Sequence, residues 1–383
     1  MKIAMIGLRE IPFSEDGGGV DRHVDELSTR LVKLGHEVTV YVRSRYTPEG
    51  VTTYRGVKLI SLGSIKTKNL DTISHVFLAT LNVLFKKVDI VHYHGVGPST
   101  LSWIVRIFKP KTKVVTTFHS IDRFHKKWGI LARLYLTWGE WTACHFPHKT
   151  LVVGTVLQKY CLDKYNKETV FIPNGVTIKE INRHDQLKQF DLEKSQYLLT
   201  VARLVKHKGI HLLIEAYKKI EIQYGNEKTN WPRGEQIKLV IVGSPSYTED
   251  YFEYLKEIAG ESKNIIFTGF QGGDTLDQLF ANAYLYVHPS QAEGLSTTIL
   301  EALSHRMPAL ISDITENLEV IDHSGFIFKT NDVDDLYEKL IYLLDNPEKI
   351  EEKKERALRF IRNNFDWDKN IKMVEKEYEK LLK

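Results

Sequence analysis

The sequence predicts an α/β protein built as two doubly wound, Rossmann-like parallel-sheet domains facing a cleft. Three observations lead there. Short apolar runs alternate with stretches of helical periodicity from the first residues onward, which is the pattern of consecutive βα units. The alternation breaks once, at the polar and aperiodic stretch 179–195, and then resumes, so that stretch reads as a linker. The 383 residues accommodate two such domains, and a composition of 42% hydrophobic and 27% charged residues excludes disordered, collagen-like and coiled-coil classes.

In the first domain, 1–178, strands are expected at 2–6, 37–42, 90–92, 113–117, 150–153 and 170–172. The opening run is too short for the apolar centre of a signal peptide because Arg9 and Glu10 follow it, and it reads as a buried strand. Between strands, Val24, Leu27, Leu31 and Leu34 recur at helical spacing over 21–34. The longest apolar helical run, 75–85, stops at Lys86-Lys87, short of the ~18 residues of a spanning helix. In the second domain, 196–365, strands at 197–201, 237–242, 265–268, 285–288 and 309–312 alternate with helices starting near 209, 248, 275, 297 and 334. The charged amphipathic segment 366–383 is expected to pack back on the first domain. Two cysteines, Cys144 and Cys161, are too few for a disulfide framework and point to a reducing, cytoplasmic setting. Net charge divides unevenly, +11 over residues 1–175 and −7 over the rest.

Open parallel sheets bind ligands beyond the carboxyl ends of their strands, so residues at those ends carry the argument. Gly17, Gly18 and Gly19 precede the first helix, where backbone amides and the helix dipole favour an anion; a merely flexible loop is the other reading. Neither a G-x-G-x-x-G turn nor a G-x-x-x-x-G-K-[ST] loop is present. His119 follows the strand at 113–117, where it can donate to a sugar hydroxyl or a phosphate. His92 and His94 form an H-x-H pair with no third metal ligand at a helpful spacing, which favours strand-end packing or acceptor contact over metal. Arg203 and Lys208, after the first strand of the second domain, suit a diphosphate, and Gly209 then opens an apolar helix. Glu293 and Glu301 bracket a loop and two helical turns. A carboxylate accepts well from vicinal hydroxyls, so one can serve a sugar and the other a ribose.

The succession of Gly17-Gly18-Gly19, His119, Ile172-Pro173-Asn174-Gly175-Val176, Arg203, Lys208-Gly209 and Glu293 through Glu301 resembles glycosyltransferase family four, retaining enzymes of the GT-B fold. The segments 70–75, 94–98 and 312–319 further resemble bacterial-type transferases of surface-polysaccharide assembly. The resemblance spans essentially the whole chain. It implies that Arg203 and Lys208 bind the diphosphate of a nucleotide-sugar donor, that Glu301 holds the ribose, and that Glu293 and His119 contact the transferred sugar. The glycine loop would close over the β-phosphate, with Leu295, Ser296 and Thr297 completing the phosphate cradle and Gly243 lying at the base. Three positions depart from the pattern. Ser120 follows His119 in place of Gly or Asp, Thr315 replaces a proline, and Arg306 stands where a glycine is usual. A non-glycine held in the left-handed region at 306 would store roughly 1 kcal/mol.

These readings together imply a metal-independent hexosyltransferase with no cofactor. A UDP-hexose is the first donor expected, with GDP-mannose or dTDP-rhamnose next. The acceptor would be a glycan or lipid-linked glycan used in cell-surface polysaccharide or glycoconjugate synthesis. Asp332-Val333-Asp334 and Asp366-Trp367-Asp368 imitate a metal-binding D-x-D, but each precedes a helical run and reads as a cap. The stretch 123–141 mixes Arg123, Lys126, Lys127 and Arg133 with Trp128, Tyr135, Trp138 and Trp141. It is either a core helix with a solvated face or a peripheral contact with the anionic inner face of a membrane. No nucleic-acid motif is found. A sugar-nucleotide epimerase and a non-catalytic sugar-nucleotide sensor remain as alternatives.

Overall fold

The computed structural model describes residues 1–12, 18–67, 70–124, 129–225, 230–234, 236–245, 248–321 and 323–383, whose contacts form two α/β units. One comprises Met1–Asn174 with Trp367–Lys383, the other Gly175–Asp366. In chain order the first contains β1 (Lys2–Ile6), α1 (Gly19–Lys33), β2 (Glu37–Arg43), β3 (Thr53–Tyr54), β4 (Val57–Leu62), α2 (Leu70–Leu84) and β5 (Ile90–His94). It continues through α3 (Val96–Ser99), α4 (Ser102–Phe108), β6 (Lys113–Phe118), α5 (Ile130–His145), β7 (Lys149–Val152), α6 (Thr155–Tyr165) and β8 (Val170–Phe171). The sheet order is β3-β4-β2-β1-β5-β6-β7-β8, parallel except at β3.

Side chains alternate across a strand, so β1 serves two cores at once. Ile3 and Met5 join Val24, Leu27 and Leu31 of α1, while Ala4 and Ile6 join Val76, Ala79 and Val83 of α2. Chain direction reverses its lateral progress between β1 and β5, which makes the gap beyond their carboxyl ends the ligand-binding position of such a sheet.

The second unit contains β9 (Tyr197–Val201), α7 (Ile210–Tyr224), β10 (Lys238–Val242), α8 (Glu249–Ala259), β11 (Ile265–Gly269), α9 (Gly273–Asn282) and β12 (Leu285–His288). There follow α10 (Thr297–Ser304), β13 (Ala309–Ser312), α11 (Thr315–Leu318), β14 (Phe326–Phe328), α12 (Val333–Asp345) and α13 (Pro347–Asn364). The all-parallel order β11-β10-β9-β12-β13-β14 puts its own switch point between β9 and β12. The final helix, α14 (Trp367–Leu382), returns to the first unit and buries Trp367, Ile371, Val374 and Tyr378 in the core shared with α1.

The stretch 179–195 docks on the second unit. Its 3₁₀ segment Asp185–Phe190 packs on α9, with Leu187 buried, Gln186 N–H donating to Gln278 Oε1 at 2.9 Å and Lys179 pairing with Asp277 at 2.6 Å. Its polarity serves docking onto a polar helix face. The expected strands also omitted the β3–β4 hairpin and β14. The hairpin turns on Arg55 and Gly56, both at positive φ, a two-residue loop without the usual Asn-Gly or Asp-Gly signature. Asp332 does cap α12, accepting from the Asp335 amide at 2.9 Å.

Arg306 adopts φ 59°, the left-handed conformation that favours glycine. Among the described residues its guanidinium pairs with the exposed Glu355, at 3.5 Å. Arg306→Gly is therefore expected to stabilise the second unit by ~0.5–1 kcal/mol, relief of strain being partly offset by unfolded-state entropy. The check is a rise of a few degrees in the melting temperature; a fall would mean that the 306 side chain carries packing worth more than the strain.

Candidate active site

The second unit gathers most of the expected residues at the carboxyl ends of β9, β10 and β12. Arg203 is exposed on the loop after β9, and Lys208 ends a 3₁₀ turn, Lys206–Lys208, immediately before α7. Gly209 has φ 68°, and a Cβ there would lie 2.0 Å from the Pro289 carbonyl oxygen, so glycine lets the β9 loop close against the end of β12. That approach brings Lys208 Nζ to within 2.5 Å of Glu293 Oε1, where it donates.

Glu293 is the hinge of this arrangement. Its side chain is 8% exposed, and His288 Nε2 lies 2.9 Å from the same oxygen. Burial alone would raise the pKa of Glu293. The charge of Lys208 and the hydrogen bond from His288 outweigh burial and hold it well below the ordinary carboxylate range. His288 is itself pushed down by burial, against the opposing pull of Glu293, so it is neutral near pH 7 and donates through Nε2. Its Nδ1 then accepts from the Tyr286 hydroxyl at 3.0 Å, which in turn lies 2.8 Å from Thr298 Oγ1. The sequence reading missed His288, Tyr286 and Thr298 as parts of the site. Their signal was position: Tyr286 and His288 share one face of β12 at its carboxyl end.

Buried Ser296 precedes α10, but its hydroxyl turns to His288 Nε2 at 3.3 Å and Thr298 Oγ1 at 3.2 Å instead of capping the helix. The first-turn amides around Thr297 are thus left without a side-chain cap, an arrangement suited to an anion. Leu295 is buried beside them, and Glu301 is buried one turn further along α10. Gly243 follows β10 with φ 142°, and a Cβ would lie 1.9 Å from the Ala202 carbonyl oxygen. It therefore sets how closely the Arg203 loop approaches β10.

The first unit supplies His119, directly after β6. It is buried in a nest of imidazoles with His23 of α1 and His94 of β5, ring centroids 4.8 to 5.7 Å apart. His23 Nδ1 lies 2.7 Å from Asn174 Oδ1 and must donate to it, which ties the Pro173-Asn174 segment to α1. His92 spends both nitrogens on structure, at 2.6 Å from the Tyr378 hydroxyl and 2.7 Å from Thr117 Oγ1. Burial lowers the pKa of His23 to about 4 and pushes His94 and His119 well down, so all three are neutral near pH 7. Of the H-x-H pair, His92 is thus taken up by packing, while His94 lies beside the imidazoles of His23 and His119.

At the glycine loop the start of α1 holds a carboxylate that the sequence pattern does not announce. Gly17 lies outside the described residues. The Gly18 amide donates to Asp21 Oδ2 at 2.7 Å, and the Arg9 amide to Asp21 Oδ1 at 2.6 Å. A buried carboxylate thus occupies the start of α1 and opposes an approaching anion. Among the described residues no helix is long and apolar enough to cross a membrane.

Two family models divide the chain between them: Glycosyltransferase Family 4 matches residues 17–180, and Glycosyl transferases group 1 matches 182–364. An uncharacterised glycosyltransferase of Methanocaldococcus jannaschii is 28% identical over 350 residues, covering 84% of this chain and 83% of its own. The phosphatidylinositol N-acetylglucosaminyltransferase gpi3 subunit of Schizosaccharomyces pombe is 23% identical, covering 96% and 79%. The Anabaena protein Alr3699/HepE, solved with UDP-glucose, superposes with a TM-score of 0.78 at 16% identity, covering 99% of this chain and 100% of its own, which bears on fold alone. With two parallel α/β sheets, strand-end residues matching the motifs, and both halves accounted for, the chain belongs to the family-four glycosyltransferases of the GT-B fold.

Proposed function

We propose that the protein is a retaining, metal-independent hexosyltransferase that uses a nucleoside-diphosphate sugar, UDP-hexose in first place, and extends a lipid-linked acceptor at an anionic membrane surface. The observation that carries the transferase reading is the buried Lys208–Glu293–His288 constellation at the β9/β12 switch point. Negative charge gathers on the departing diphosphate, and preorganised donors at that point lower the barrier. Lys208 retains two further N–H donors beside its bond to Glu293, and Arg203 and the first-turn amides of α10 supply the rest. Glu293 and His119 contact the sugar, and Glu301 holds the ribose. As the C1–O bond to phosphate breaks, the acceptor hydroxyl bonds to C1 from the same face, and its proton passes to the leaving phosphate oxygen. The UDP-glucose complex of the Anabaena structure supports the choice of donor.

The membrane reading rests on the outer face of the first unit. Adjacent helices α2, α4 and α5 expose Phe77 and Leu81, with Phe85 just past the end of α2, then Ile107 and Phe108, then Ile130, Leu131, Leu134 and Trp138, with Phe85 88% and Leu131 82% exposed. Glu140 on the opposite side of α5 is buried, accepting from Tyr160 and Tyr165, so this helix has both a core side and an outer apolar side. Exposed Lys86, Lys87, Arg106, Lys111 and Arg133 flank the apolar residues, a combination that suits an anionic bilayer. Lys126, Lys127 and Trp128, from the stretch first singled out, lie outside the described residues. The lipid named in the fission yeast relative supports an acceptor of this kind.

A panel of sugar nucleotides in a thermal-shift assay identifies the donor, which at 100 times its dissociation constant should add ~2.7 kcal/mol. Turnover with that donor, in excess chelator and on vesicles containing phosphatidylglycerol, should yield product with an unchanged anomeric configuration by NMR. An inverted centre rules out retention, and product formed from donor alone favours the epimerase. Equal sedimentation with anionic and neutral vesicles, unaffected by Leu131→Glu with Leu134→Glu, rules out the membrane reading.

A further inference from the structure

We propose that His23, His94 and His119 form a three-histidine binding site for a late divalent transition metal ion, with zinc as the first choice. Three elements distant in sequence deliver these residues: α1 carries His23, β5 ends at His94, and His119 follows β6. One nitrogen from each ring lies within 4.8 Å of the other two. His94 Nδ1 and His119 Nε2 are 3.4 Å apart, long for a hydrogen bond between rings but close to the ~3.3 Å that separates two nitrogens bound at 2.0–2.1 Å to one tetrahedral zinc.

One further observation points to a ligand. The bond from His23 Nδ1–H to Asn174 Oδ1 fixes the tautomer and leaves Nε2 with a lone pair, the outer-sphere arrangement that orients metal-binding imidazoles. His94 is 1% exposed and offers Nδ1 to the set, while its Nε2, on the other side of the ring, has no hydrogen-bond partner among the described residues. His92, beside His94, has both nitrogens engaged by Tyr378 and Thr117 and lies outside the set. Three imidazoles leave a fourth zinc position for water or an anionic oxygen.

The consequence for transfer rests on the proposed role of His119. A metal held there takes the lone pair of His119 and fills the space beside it, so zinc inhibits the transferase and a chelator restores it. Binding itself does not depend on that reading.

The test is titration of the full chain with Zn²⁺ against a chromophoric chelator, together with the visible spectrum of the Co²⁺ form. One ion per chain and a tetrahedral cobalt spectrum are expected. His23→Gln and His94→Gln should each weaken binding by more than the ~10–100-fold typical of losing an outer partner, and Asn174→Ala should weaken it within that range. His184→Gln, at an exposed histidine, should leave it unchanged. X-ray absorption on the zinc-loaded wild type reads the number of imidazole ligands without any variant having to fold. Fewer than three imidazoles, or affinity equal in wild type and His94→Gln, overturns the site. Tight three-imidazole binding without inhibition would uphold the site and remove His119 from the sugar.

Discussion

Replacing Lys208 with alanine is expected to lower kcat by ~10²-fold or more, since a contact to charge developing on a leaving group is lost at the barrier. The same change should also cost stability, because Glu293 keeps its burial and loses its cation. These two effects separate in a double variant. Lys208→Ala with Glu293→Gln removes the uncompensated carboxylate, so most of the lost stability should return while turnover stays low. The pH dependence has a definite sign. Glu293 has a folded pKa depressed below its unfolded value near 4.3, so the stabilisation from pairing is fully present above that pH and is lost as pH falls below it. The stability gap between wild type and Lys208→Ala should therefore be widest at neutral pH and narrow in acid. Turnover that recovers along with stability in the double variant would make Lys208 a structural residue.

Gly243→Ala should be nearly as damaging, by a different route. A methyl group at 243 would lie 1.9 Å from the Ala202 carbonyl oxygen, and φ 142° is itself hostile to an L side chain. Backbone must move, and the backbone in question carries Arg203. A loss on the order of 3 kcal/mol is expected, in the range that marks severe backbone and packing defects. The folded fraction should bind the donor poorly. Alanine at Gly260, where a Cβ would meet nothing within 4 Å although φ is also positive, provides the comparison: it should cost roughly 1 kcal/mol and spare donor binding. Similar losses at 243 and 260 would mean that conformation, rather than the close approach to Ala202, decides the outcome.

Much of this architecture is determined by local order in the chain. Apolar runs at strand length, spaced by helical periodicity, dictate parallel βα units, because a strand buried on both faces needs continuous apolar sequence and a crossover helix on each side. The same order places Arg203, Lys208, Glu293 and Glu301 after strands or on the helix that follows, which is why they could be singled out by number alone. Conformational demands at single positions were legible too, as Arg306 shows. What depends on distance in space was not. His23, His94 and His119 are separated by 71 and 25 positions in the chain, and nothing in their spacing announces that they converge. Lys208 and Glu293, 85 positions apart, could be named as two separate groups, but only the closure of Gly209 on Pro289 makes them one buried ion pair with His288. Likewise the polarity of 179–195 marks a linker but not its docking on α9, because whether a polar side chain faces water or a neighbouring helix depends on what the rest of the fold brings beside it.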